Sequence, residues 1–229
     1  MQKHYLIGGG VFYPNRQVLG DQLAEKLTQF KDTDSIIFCL KQSSLLSCIE
    51  LAAHLHAYIY ILEYQEIQDP FDITRVLGAI TRTGDFVLNP EISRGEYEYI
   101  AMDFMSVIEE RKRDAFSAMN ARADANPAFD KNAFNNRNIL LFADILHTQF
   151  QIEVALNILK SYKPALITGV CGNITTEISD KFNIETDGVT YMDILPNTYF
   201  EDDHYFDQPD SFSDEDKIRM ANNISLYWA

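Results

Sequence analysis

Apolar residues in this chain follow two rhythms. Five short runs are almost unbroken: Ser35–Leu40 (SIIFCL), Ala57–Leu62 (AYIYIL), Ile139–Ala143 (ILLFA), Pro164–Val170 (PALITGV) and Gly188–Met192 (GVTYM). Runs of this length, apolar on both alternating faces, predict strands buried on two sides in a parallel sheet. Between them, apolar positions recur every three or four residues and predict amphipathic helices. The stripes are Leu19, Leu23, Leu27 and Phe30, then Leu45, Ile49, Ala52 and Ala53, then Ile100, Phe104, Ile108, Ala115 and Met119, then Ile152, Ala155, Leu156 and Leu159. Ser93-x-x-Glu96 and Thr148-x-x-Gln151 have the form of capping boxes, Asn173 is placed to cap a short helix, and Ser213 a last helix through Asn223. Two further short runs, Val76–Ile80 and Asp85–Leu88, flank Thr81-Arg82-Thr83-Gly84 and predict an inserted hairpin. Arg122–Asn138 is polar and reads as an exposed connection.

Strands alternating with helices predict a doubly wound α/β fold with a mainly parallel five-stranded sheet. One domain is expected over residues 1–229, with a core over about 15–196 and a C-terminal hood or tail over about 197–229. In such sheets ligands bind outside the carboxyl ends of the strands, beside the point where strand order reverses. That rule selects the turns after Leu40, Leu62, Ala143 and Val170. The turn Asp144–Thr148 stands out, because strand, tight turn and helix start present backbone N–H groups and a positive dipole end to a phosphate.

Charge narrows the classes of partner. With 34 Asp and Glu against 19 Lys and Arg, the formal net charge of −15 argues against diffuse binding to nucleic acid or to an anionic membrane. No apolar run approaches membrane-spanning length, so a cytoplasmic protein is expected. Cys39, Cys48 and Cys171 show neither zinc spacing nor a disulfide framework, which suggests buried thiols. His54 and His56 sit two apart on one predicted helix and cannot share a face, and no third ligand is evident, so no metal site is expected. Acidic residues crowd Glu201–Asp216, a pattern usually found on a solvated surface.

The order of elements and several fragments resemble the type I phosphoribosyltransferases, in particular a stand-alone bacterial and archaeal group. The fragments are Asn15-Arg16-Gln17 with Gly20 and Leu23-Ala24, Leu77-Gly78-Ala79-Ile80 with Val87-Leu88-Asn89, and Tyr199-Phe200-Glu201-Asp202 before Ser213-Asp214-Glu215. The resemblance implies transfer of phosphoribose between pyrophosphate and a nitrogenous base, with Mg²⁺ as cofactor where catalysis survives. The family's signature is an apolar strand, two acidic residues, a short turn and Thr-Gly-x-Thr. Here it aligns with Phe142 to Gln151, where only Asp144 and Thr148 match. The family's basic residue and two glycines for pyrophosphate correspond to Lys41-Gln42-Ser43-Ser44, and its second basic pair falls at Glu63-Tyr64, with no basic residue adjacent in sequence.

By that alignment Asp144 is the candidate catalytic acid, and Lys41, Ser43, Ser44, His147, Thr148 and Gln149 are the candidate phosphate ligands. Tyr199, Phe200 and Tyr205 are candidate hood residues, serving either to stack on a base or to cover a sheet edge. Because three phosphate contacts are altered, the leading expectation is a weakly active or non-catalytic relative that binds a phosphoribosyl- or nucleotide-like small molecule, or a partner, in a remodelled cleft. An active transferase using Asp144 and Lys41, and a structural subunit forming a homodimer, are the other readings.

Overall fold

A computed structural model describes residues 11–121, 133–195 and 202–227, with side chains through Ile224. The chain forms two compact units. The first comprises the chain through Leu62, Lys131–Thr148 and Tyr162 onward; the second comprises Glu63–Asp130 and Gln149–Ser161.

The first unit is a five-stranded, all-parallel sheet. Its strands are β1 (Ser35–Cys39), β2 (Tyr58–Ile61), β6 (Asn138–Leu146), β7 (Leu166–Thr175) and β8 (Gly188–Leu195), in the order β2-β1-β6-β7-β8. The five predicted runs all supply strands, and each pair is parallel. Strand order reverses between β1 and β6.

Helices α1 (Arg16–Lys26), α2 (Leu45–Leu55) and α6 (Asp214–Tyr227) cover one face. There Leu19, Leu23, Leu45 and Ile49 pack with Ile37, Leu140 and Phe142. Helix α5 (Thr176–Glu185) covers the other face through Phe182, whose ring lies where a Cβ on Gly169 would stand, 2.5 Å away. Phe38, Tyr60, Phe134 and Tyr162 form an aromatic cluster on that same side, with Phe38 and Tyr60 centroids 4.6 Å apart. The sheet is therefore doubly wound, as the sequence predicts.

Local signals set most helix starts. Asn15 accepts a hydrogen bond from the Val18 N–H at 3.0 Å and opens α1, and Ser213 does the same for α6 through the Asp216 N–H at 3.2 Å. One expected cap fails. Asn173 lies inside β7, buried, donating to the Val11 carbonyl at 2.8 Å and accepting from the Tyr13 hydroxyl at 3.0 Å. Thr175 caps α5 instead.

The second unit carries an antiparallel sheet of β3 (Tyr64–Gln68), β4 (Val76–Thr81) and β5 (Phe86–Leu88) with helices α3 (Arg94–Ala121) and α4 (Phe150–Leu159). The hairpin β4–β5 turns at Gly84, whose φ of +88° suits glycine. Strand β3 corresponds to no apolar run in the sequence. Helix α3 opens on Ser93, whose hydroxyl accepts from the Glu96 N–H at 3.2 Å, and its regularity breaks at Phe104. Thr148 does not cap α4: the cap position is Gln149, with no side-chain cap bond. Of the polar connection Arg122–Asn138, residues 122–132 lie outside the described residues, and its end is not all exposed, since Phe134 is buried. No described helix is long and apolar enough to cross a membrane.

Candidate functional site

Where the strand order reverses, the carboxyl ends of β1 and β6 bring together residues that are about a hundred positions apart. Leu40 donates its N–H to the Phe142 carbonyl at 2.8 Å, which places Lys41 beside the end of β6. A single 3-10 turn, Gln42–Ser44, then leads into α2. Strand β6 runs on to Leu146, so Asp144 stands within the strand rather than ending it, and the turn shortens to His147–Gln149.

Asp144 is buried, and so is its partner Arg16, at 1% and 2% side-chain exposure. The Arg16 Nε donates to Asp144 Oδ2 at 2.8 Å, Nη1 to Asp210 at 2.8 Å and Nη2 to Asp203 at 2.6 Å, while the guanidinium stacks 4.4 Å from the Phe206 ring. This matches the geometry that makes arginine suited to several carboxylates at once. Asp144 Oδ1 is buried without a hydrogen-bond partner among the described residues. Burial pushes the Asp144 carboxyl up to about 6, against the opposing pull of Arg16 and the Ser47 hydroxyl.

Lys41 is engaged from within the chain. Its Nζ pairs with the Asp202 carboxylate and donates to the Ile145 carbonyl at 3.2 Å. Ser43 Oγ lies 3.5 Å from the same Asp202 oxygen, and His147 Nδ1 lies 4.0 Å from the other. Burial, and then the nearby Lys41, hold His147 below the usual imidazole range. Ser44 is internal: its Oγ accepts the Asp144 N–H at 2.9 Å and ties the two strand ends together. Lys217, also buried, pairs with Asp210 at 3.2 Å and Asp214 at 2.7 Å; burial alone would lower its pKa, but the two carboxylates carry it up. A cleft of about 370 Å³ opens beside these groups, lined by Arg16, Gln42, Ser43, Asp203, Asp210 and Lys217 among others.

The structure thus brings Lys41, Ser43, Ser44, Asp144 and His147 to one sheet edge. Thr148 and Gln149 are half-buried at the start of α4. Tyr205 is a core residue, 1% exposed and packed on Phe12, with its carbonyl accepting the Tyr13 N–H at 2.9 Å. Tyr199 and Phe200 lie outside the described residues. The solvated reading of the acidic segment holds for Asp207 and Glu215, which are exposed, but not for Asp202 and Asp210, which serve as internal counter-ions. At the second altered motif a cation is present after all: Arg82, from the β4–β5 turn, pairs with Glu63 at 2.9 Å.

Arg16 is the residue that motif reading passed over. Its signal was present, because Arg16, Leu19 and Leu23 share one helical stripe, and a charge within an apolar stripe requires buried counter-ions. Chemically, five carboxylates (Asp144, Asp202, Asp203, Asp210, Asp214) surround three cations (Arg16, Lys41, Lys217). Such a balance favours a cation or a neutral polar ligand over a polyphosphate.

No family model matches the chain, and no curated protein is similar to it. Solved structures are. The TT1426 structure from Thermus thermophilus superposes with a TM-score of 0.70 at 18% identity, covering 96% of this chain and all of that one. A hypothetical protein from Neisseria gonorrhoeae, solved with bound ppGpp, gives a TM-score of 0.45 at 11% identity over 97% of this chain and 99% of its own. A hypoxanthine phosphoribosyltransferase from Staphylococcus aureus gives 0.43 at 14% identity over 80% of this chain and 74% of its own. The superposition on TT1426, over nearly the whole of both chains, shows a shared α/β fold, which in this chain is a five-stranded parallel sheet with an inserted three-stranded antiparallel sheet.

Proposed function

We propose that this chain is a phosphoribosyltransferase-like protein that has lost most or all transferase activity and keeps its cleft for a different small ligand or partner. One observation carries the reading. The Asp202 carboxylate sits on Lys41 and Ser43, on the edge where the family's alignment puts the pyrophosphate contacts. An incoming phosphate would have to displace an anion already held within the same molecule, and would meet Asp144 and Asp203 behind it. The Ser44 hydroxyl is turned inward, where it accepts the Asp144 N–H. Transition-state stabilisation of a leaving pyrophosphate needs preorganised positive charge, and here that charge is spent on internal carboxylates.

Calorimetry with phosphoribosyl pyrophosphate and Mg²⁺ tests the reading. The expected result is no saturable, Mg²⁺-dependent heat with the wild-type chain, and a measurable gain of anion binding in Asp202→Ala, which frees Lys41. Tight Mg²⁺-dependent binding by the wild type, weakened by Asp144→Ala, would establish an active transferase instead.

A further inference from the structure

Away from the cleft, α1 and α2 pack so closely that Gly20 is pinched between them. A Cβ on Gly20 would stand 2.7 Å from both the Glu50 Cβ and the Ser47 carbonyl oxygen. That approach carries Asp21, the next residue on α1, over the surface of α2. On α2, Glu50 and His54 are one turn apart and face the same way. Asp21 Oδ1 lies 2.8 Å from His54 Nε2, Glu50 Oε1 lies 3.5 Å from the same nitrogen, and one donor atom from each of the three residues falls within 4.8 Å of the others.

We propose that Asp21, Glu50 and His54 form a binding site for a divalent transition-metal ion of the zinc class, clamping α1 to α2. One imidazole nitrogen and two carboxylate oxygens form a donor set that zinc accepts, with water completing a tetrahedron. Calcium and magnesium prefer all-oxygen shells. A single proton on His54 cannot neutralise two carboxylates, whereas a dication balances the whole set. The backbone placement is fixed by rigid helices, so only side-chain rotamers adjust to bring the donors to coordination distance. All three side chains reach solvent, which gives the ion a path in. Binding replaces the hydrogen bond between His54 and Asp21 with two metal–ligand bonds.

Zinc titration of the full-length chain by calorimetry tests it, with Co²⁺ absorption as a second readout. The expected result is one Zn²⁺ per chain, abolished in His54→Ala and weakened at least about tenfold in Asp21→Asn and Glu50→Gln, the scale of loss seen when even an outer-shell partner of a metal site is removed. The Co²⁺ band should disappear in His54→Ala and should need at least about tenfold more Co²⁺ to develop in Asp21→Asn and Glu50→Gln. His56→Asn, which removes a neighbouring histidine while suiting the left-handed backbone there, should leave binding unchanged. Absence of saturable binding to the wild type would overturn the proposal. So would binding that survives His54→Ala at unchanged affinity, since that would mean the acidic surface collects cations diffusely.

Discussion

Asp144 is buried beside a cation and still titrates high, because burial outweighs Arg16, which Asp203 and Asp210 also share. Its carboxyl rises from 3.8 to about 6 in the fold. Between these values the folded chain holds a proton that the unfolded chain has released, so this group makes stability fall as pH rises from about 4 to about 6. A shift of this size corresponds to a change on the order of 3 kcal/mol. Urea unfolding across that window should therefore show the stability of the wild type falling with pH relative to that of Asp144→Asn. A difference between the two chains that stays constant through the window would mean that Arg16 dominates and the carboxyl stays ionised.

At the scale of elements, the α1–α2 contact is set by one missing methyl group. Alanine favours a helix over glycine by about 1 kcal/mol, but at position 20 the added Cβ meets backbone and Cβ atoms that cannot swing away. Gly20→Ala should therefore destabilise the chain, by about 1–3 kcal/mol net, the usual range for overpacking, and a lowered urea midpoint at unchanged m-value would register it. A stabilised variant would show that the helices have room to separate. The five parallel strands and the α1 and α2 stripes were legible because burial on both faces, or on one stripe, leaves a periodic mark. Strand β3 (YQEIQ) leaves little such mark, since only Ile67 in it is fully buried. The cap of α4 was misplaced because Thr148 and Gln151 fit a local motif that the longer β6 displaced. In the site, Lys41, Ser43, Ser44, Asp144 and His147 were legible as neighbours because strand ends follow from topology. Their roles were not, because Arg16 and Asp202 approach from opposite ends of the chain and no local pattern announces a pairing such as Lys41 with Asp202, which spans 161 positions.

At the scale of the molecule, a net charge of −15 places 34 acidic side chains against 19 basic ones, and the excess must repel itself more in a folded chain than in an expanded one. Salt acts on this balance in two directions. It weakens exposed pairs such as Arg94–Glu98 and Arg219–Asp216, each contributing about 0–1 kcal/mol. It also screens the long-range repulsion, as the Debye length falls from about 30 Å at 0.01 M to about 8 Å at 0.15 M. The Arg16–Asp144 pair is buried and screened far less. Repulsion among many charges should outweigh a few weak pairs, so NaCl added over that range should raise the thermal midpoint, by about 2–4 °C for each kcal/mol gained in a chain of this size. Far-UV circular dichroism melts at the two ionic strengths measure it directly. A midpoint that falls instead would show that the exposed ion pairs, not the net charge, govern the response.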